Sequence, residues 1–337
     1  MPRPEVSRQI VARLDDLHAR YSPTPQDRVV RYYTPGRGYH GPEPGQDHQE
    51  FGISLASLDG EVYCSGLCDV RFPMQSISKV FTYLLALEDH GREHVLTRVG
   101  VDPSGDSYRS IVFDERARRP YNPMVNAGAL ATADLVLGAD PAEKLERVLE
   151  LMRRHAGNDS LAVDWDVFEL EMQIADRNRA IAYLMRSEGM LEGDPEDALA
   201  LYLQQCSVAV TCQDLAIMAA TLANGGVNPR TGERACTRRY VRDVLTVLYT
   251  CGMYDFAGQW AYEVGVPAKS GVSGGILAPI PSKLGLAVFS PGLDEHGNSI
   301  RGVHVCREIS LRLGLHIFAA EEEDAMLGLR APAAQID

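Results

Sequence analysis

The stretch FPMQSISKVFTYLLAL, residues 72–87, places Lys79 three residues after Ser76, at what reads as the first turn of a helix over 76–90. Residues i and i+3 share a helical face, so the hydroxyl and the amine can come within hydrogen-bond reach. Such a pair is a nucleophile with its own base. A serine hydroxyl attacks poorly until its proton is taken, and an amine takes it only when neutral, a state favoured by desolvation or by a nearby positive potential. A helix N-terminus supplies such a potential. Arginine stays protonated and could not serve. The choice is informative because the chain otherwise avoids lysine: of 33 basic residues only Lys79, Lys144, Lys269 and Lys283 are lysines. Ser78 is a competing hydroxyl, but as the immediate neighbour of Lys79 it faces another side of the helix.

A second lysine opens KSGVSGG, residues 269–275. A lysine followed by small residues on a strand resembles the K-T-G element that walls serine acyl-transfer sites, where an edge N–H can meet a developing oxyanion. Neither element is specific alone. Ser-x-x-Lys arises readily by chance, and KSGVSGG reads equally as a glycine-weakened strand or a bulge.

The elements that must position these residues follow from periodicity. Apolar residues at helical spacing predict an amphipathic helix over 5–20. Residues 34–50, TPGRGYHGPEPGQDHQE, are a long Gly- and Pro-rich loop. FGISLASL and EVYCSG, joined through Asp59-Gly60, form a β-hairpin with a tight turn. Helical spans are expected at 125–137, 141–156, 178–188, 195–206, 211–224 and 237–250. Two glycine-bearing strands then occupy about 267–290, followed by a helix near 301–318 and an acidic tail. Strands near both ends with helices between them predict one sheet from the two ends of the chain and an inserted helical subdomain.

Composition narrows the partners. With 337 residues, 45% of them hydrophobic, the chain can bury a large core. A net charge of −13 would repel nucleic acid or an anionic membrane surface and leaves a small or zwitterionic ligand. No signal-peptide core or bilayer-length apolar run is present, which reads as a cytoplasmic protein. Seven cysteines without a C-x-x-C pair read as buried or half-buried thiols. Nine scattered histidines give no support to a metal or Ser-His-Asp mechanism.

Further segments complete a recognisable set: QSISKVF (75–81), PSGD (103–106), NPMVNAGAL (122–130), DRN (176–178), YLQQCSV (202–208), MAATLANGG (218–226), TGER (231–234), CGMYDFAGQ (251–259) and AKSGVSGGI (268–276). In this order they resemble the serine-dependent glutaminase family, from about Phe51 to Phe318. The resemblance implies an α+β, β-lactamase/penicillin-binding-protein-like fold in which an antiparallel sheet is flanked by helices. It implies a single domain over 1–337, with a sheet subdomain at about 22–90 and 253–320, a helical subdomain at about 91–252 and a tail at 321–337. It makes Ser76 the nucleophile, Lys79 its base and Tyr254 a proton shuttle above the nucleophile. Tyr39, Gln75, Asn126, Glu171, Asn178 and Tyr202 would bind L-glutamine, and the Ser76 and Val272 N–H groups would form the oxyanion hole. Those residue types suit the ligand, since an α-ammonium wants a carboxylate such as Glu171 and an α-carboxylate wants donors such as Asn and Tyr. No metal or organic cofactor is implied, and a homodimer or homotetramer is.

The chain departs from the family pattern in three places. Tyr39-His-Gly-Pro-Glu-Pro stands where the family reads like Tyr-Ile-Pro-x-Leu-Ala, LEMQIADRN replaces a Ser- and Gly-containing segment around Glu171, and Tyr108-Arg109 replaces Phe-Asn after PSGD. The expected reaction is hydrolysis of the glutamine side-chain amide. The alternatives are a catalytically weak glutamine-binding homologue or another serine acyl-transferase of the same fold.

Overall fold

A computed structural model describes residues 4–25, 28–29, 50–105, 111, 113–114 and 116–319 of the chain. The frame is a five-stranded antiparallel sheet. From one edge it runs β3 (Val62–Gly66), β2 (Gly52–Ser57), β8 (Leu284–Phe289), β7 (Gly275–Ile280) and β6 (Lys269–Ser270). The β2–β8 ladder pairs Gly52 with Phe289 and Ser57 with Leu284, joining the two sequence regions expected to share a sheet. The β2–β3 hairpin also forms, with a three-residue loop: Ser57 N–H donates to Glu61 O (2.9 Å), and Gly60 takes φ +92°, the conformation that such a loop reserves for glycine.

Period-two alternation sends the sheet's side chains into two cores. On one face Ile53, Leu55, Ile276, Ala278, Leu286 and Val288 pack against α1 (Pro4–Tyr21), α10 (Ala257–Glu263) and α11 (Ile300–Leu313). On the other, Ala56, Leu277, Ala287 and Phe289 join the larger core built by the helices between residues 79 and 251. The cover of that second face is α8 (Cys212–Ala223), drawn from within the segment expected to be helical subdomain. It lies so close that a Cβ on Gly285 would collide with Ala216 O and Ala220 N. The Cys212 thiol donates to Gly52 O (3.5 Å) and Ala287 O (3.4 Å).

The helices begin where their sequences provide caps. The Asp140 side chain accepts from Glu143 N ahead of α4 (Pro141–Ala156), and Asp194 accepts from Glu196 N ahead of α7 (Pro195–Cys206). A Thr211/Asp214 capping box opens α8. The helix expected over 76–90 is a 3₁₀ turn at Gln75–Ser78 followed by α2 (Lys79–Arg98), broken at Gly91 (φ +76°). The segment expected at 125–137 is α3 (Asn126–Asp134), 178–188 is α6 (Asp176–Ser187), and 237–250 is α9 (Arg238–Cys251). Two helices were not expected from sequence, α5 (Trp165–Gln173) and α10. All seven cysteines are free thiols, six buried and Cys64 half-buried. No helix of the described residues is long and apolar enough to cross a membrane.

Candidate active site

Ser76 is delivered by a short bend between two anchors. Phe72 and Pro73 form β4, paired with β5 (Ala209–Val210), while the Phe72 ring stacks on Phe289 with centroids 3.9 Å apart. Met74 N–H donates to Val208 O (2.8 Å), and Gln75 then enters the left-handed region at φ +53°. A non-glycine residue held there costs about 1–3 kcal/mol, which the packing on either side must offset. Residues i and i+3 eclipse in a 3₁₀ turn, so the bend puts Ser76 and Lys79 on one edge. Ser78 is removed from competition: its hydroxyl donates to Gln75 O (2.7 Å) and is fully buried. Ser76 is 6% exposed, and its hydroxyl makes no hydrogen bond among the described residues.

Lys79 is fully buried, and among the described residues no carboxylate pairs with it. Its Nζ donates to Met124 O (3.1 Å) and Asn126 Oδ1 (2.8 Å) rather than to Ser76. The Cys206 thiol, whose charge would raise this amine, is itself pushed up to about 12 by burial and stays neutral. Loss of water therefore dominates, and the Lys79 amine falls from its ordinary 10.5 to about 8. Its carbonyl partners come from the NPMVNAG segment, where Asn122 Oδ1 accepts from Met124 N (3.0 Å) and Val125 N (3.2 Å). Gly128 lets α3 approach this turn, because a Cβ there would collide with Asn122 O. Sequence reasoning passed over Asn122 and Gly128 as site-builders, although both lie inside a quoted motif.

The expected glutamine-binding side chains converge on the same place. Asn126 Nδ2 donates to Asn178 Oδ1 (2.9 Å), and the Tyr202 hydroxyl donates to Asn126 Oδ1 (3.2 Å). Neither asparagine caps its helix. The Lys79 Nζ stands 5.6 Å from the Tyr202 ring centroid. Gln75 Nε2 donates to Glu171 Oε1 (3.0 Å), the one carboxylate of the set. Glu171, half-buried on α5, rises above its ordinary value because burial disfavours the charged carboxylate, and the Gln75 bond only partly opposes that rise. Tyr39 lies outside the described residues, as does the rest of the 34–49 loop.

On the far side stand Tyr254 and the β6 end of the sheet. Tyr254 is also left-handed, at φ +58°, and its hydroxyl donates to Ser270 O (3.0 Å). A cavity of about 260 Å³ opens against it, lined also by Asn122, Met124, Val125 and Asp255. Gly271 and Gly275 let the strand turn rest on the Ser76 bend; a Cβ on Gly271 would sit 2.9 Å from Met74 O, and one on Gly275 3.0 Å from Ile77 Cδ1. Val272 heads the turn between them, and its N–H makes no hydrogen bond among the described residues. The arrangement offers a buried hydroxyl, an amine half neutral near pH 8, a turn N–H without a partner among the described residues, and one carboxylate beside an amide cluster.

A glutaminase family model matches residues 44–318. A glutaminase of Trichormus variabilis is 55% identical over 305 residues, covering 90% of this chain and 89% of that protein. Among solved structures, Mglu in its glutamate form is 41% identical with a TM-score of 0.83, covering 95% of this chain and 69% of that one. A probable glutaminase of Bacillus subtilis is 33% identical, also with a TM-score of 0.83, covering 92% of this chain and 98% of its own. A family model that spans residues 44–318 and 55% identity over nine-tenths of the length lead to one assignment: the chain belongs to the glutaminase family.

Proposed function

We propose that this chain hydrolyses the side-chain amide of L-glutamine to L-glutamate and ammonia through a γ-glutamyl ester on Ser76. The observation that supports it most is Lys79, a fully buried amine surrounded by neutral acceptors and joined through Asn126 to Asn178 and Tyr202. Glutamine's α-ammonium faces Glu171, and its α-carboxylate takes donors from the Asn and Tyr cluster; Tyr39 belongs to the same pocket in this reading. Lys79 takes the Ser76 proton as Oγ attacks the amide carbon, and the Ser76 and Val272 N–H groups hold the oxyanion. The amine must exchange one carbonyl partner for Ser76 Oγ, a rotation within its own flexible stem. The C–N bond then breaks as ammonia receives a proton by way of Tyr254. Water, deprotonated by Lys79, attacks the ester, and Ser76 regains its proton as glutamate leaves.

The test is ammonia release from glutamine by wild type, Ser76→Ala and Lys79→Arg, with glutamine binding followed by calorimetry. Wild type releases ammonia, and both variants bind glutamine but lose more than a hundredfold in rate. An active Ser76→Ala variant would sink the covalent route. The same family reading carries a homodimer or homotetramer, which light scattering on the purified protein tests, and the cytoplasmic location expected from sequence is tested by cell fractionation.

A further inference from the structure

His296 lies outside the family motifs, yet it stands against the turn that carries Tyr254. Its Nδ1 is 3.1 Å from Asp255 Oδ1, and its ring packs on Phe256 with centroids 5.4 Å apart. Tyr254, Asp255 and Phe256 form one 3₁₀ turn, entered through left-handed Tyr254 at φ +58°. Tyr254 and Phe256 are buried, whereas Asp255 is exposed at the edge of the cavity. Among the described residues no other side chain pairs with Asp255. The segment that presents His296 is itself well fastened. Asp294 Oδ1 accepts from His296 N (2.9 Å) and Asn298 N (2.8 Å), Asp294 N–H donates to Asn298 O (2.9 Å), and Gly297 turns the corner at φ +90°. Leu293 and Ser299 close the base of this loop, and Ser299, the cap of α11, donates to Ser290 O (2.8 Å) just past β8. The imidazole is thus fixed to the sheet and to α11 while it reaches across to the Tyr254 turn.

We infer that His296 is a positioning residue for amide hydrolysis, a brace that holds the Tyr254–Phe256 turn from outside through Asp255 and the Phe256 ring. A non-glycine residue in left-handed backbone persists only where its surroundings over-determine it. Ser270 O holds the Tyr254 hydroxyl on the inner side (3.0 Å), and His296 holds the turn on the outer. A protonated imidazole meets Asp255 as an ion pair, and a neutral one with its proton on Nδ1 meets it as a hydrogen-bond donor, so contact survives loss of the charge. Glu295, 3.9 Å from Nε2 and largely exposed, is the other carboxylate beside the ring. The His296 and Asp255 side chains are 31% and 32% exposed, so water screens their charges and the brace is worth at most about fivefold in rate. The inference rests on the proton route through Tyr254 proposed above.

The experiment measures kcat, KM and the pH profile of kcat/KM for His296→Ala, His296→Asn, Asp255→Ala, Tyr254→Phe, and the His296→Ala/Asp255→Ala and His296→Ala/Tyr254→Phe double variants. His296→Ala should lower kcat by about three- to fivefold and leave KM within about twofold. His296→Asn, whose amide N–H stands in for Nδ1–H, should recover most of that loss. Asp255→Ala should reproduce most of it, and joining the two should add little. In the Tyr254→Phe background His296→Ala should cost nothing further. The midpoint of the pH profile should stay near 8 throughout, because Lys79 is untouched. A KM rise as large as the kcat loss, no recovery in His296→Asn, additive losses in either double variant, or a displaced pH midpoint would each overturn the inference. Wild-type kcat in His296→Ala beside an impaired Tyr254→Phe defeats the brace alone, whereas wild-type kcat in Tyr254→Phe defeats the proton route and the brace with it.

Discussion

Lys79 makes a quantitative prediction about pH. Burial lowers its amine from 10.5 to about 8, a difference worth roughly 3 kcal/mol between its charged and neutral forms. At pH 7 about one-tenth of the molecules then hold the neutral base, at pH 8 about half, and at pH 9 about nine-tenths. At 10.5 the neutral share at pH 7 would be roughly 0.03%, so burial enlarges the competent population about 300-fold. Because kcat/KM reports the free enzyme, it should climb about fivefold from pH 7 to 8 and less than twofold from 8 to 9. The assay is ammonia release at glutamine concentrations far below KM, from pH 6 to 9.5. A flat profile, or Lys79→Arg retaining more than about a tenth of the activity, would refute the reasoning. Stability follows the same linkage. Lys79 is depressed in the folded state, so between pH 8 and 10.5 the unfolded chain binds more protons, and stability rises with pH through that window. Below it the lysine is a standing cost of roughly 3 kcal/mol, so Lys79→Met should be inactive but more stable at pH 7 by up to about that amount.

Two further predictions concern the pocket and the sheet. Glu171→Gln keeps the shape of the Gln75 contact but removes the charge proposed to face the substrate ammonium, and should raise KM by about a hundredfold with a smaller effect on kcat. Because burial lifts Glu171, wild-type KM should also worsen at the acid end, where the carboxylate protonates, and KM of the variant should not. Gly285→Ala forces a methyl into the α8 backbone and should cost about 2–4 kcal/mol by denaturant titration without changing KM in the fraction that folds.

The parts of this structure legible in sequence are those fixed locally. The hairpin, the paired C-terminal strands and the capped helices each announce themselves within a dozen residues. Helix α5 did not, because Trp165 and Ile174, at its two ends, are exposed, which blurs the apolar stripe that marks an amphipathic helix. Helix α10 is seven residues long and is held by tertiary contacts such as the bond that Arg307 Nη2 donates from α11 to Glu263 Oε2. The site divides the same way. Spacing put Ser76 and Lys79 on one edge, but the bonds Lys79 makes, to Met124 O and Asn126, span more than 40 residues of chain and leave no periodic trace. Lys269 was visible as one lysine among four, but its bond to Gly252 O (2.9 Å) depends on where the 252–254 turn folds back.

The β2–β8 ladder sets the order in which the protein can become active during synthesis. Ser57 and Leu284 are neighbours in the sheet but lie about 230 residues apart in the chain. At ribosomal speeds the first partner waits roughly 10 to 50 seconds for the second. Throughout that interval the β2–β3 hairpin has one bare edge, an invitation to wrong pairing that nascent-chain chaperones would have to shield. The Ser76 bend emerges early, whereas Lys269, Ser270 and Val272 arrive with the last strands. A growing chain therefore carries the Ser76 bend long before the sheet edge that packs against it has been made.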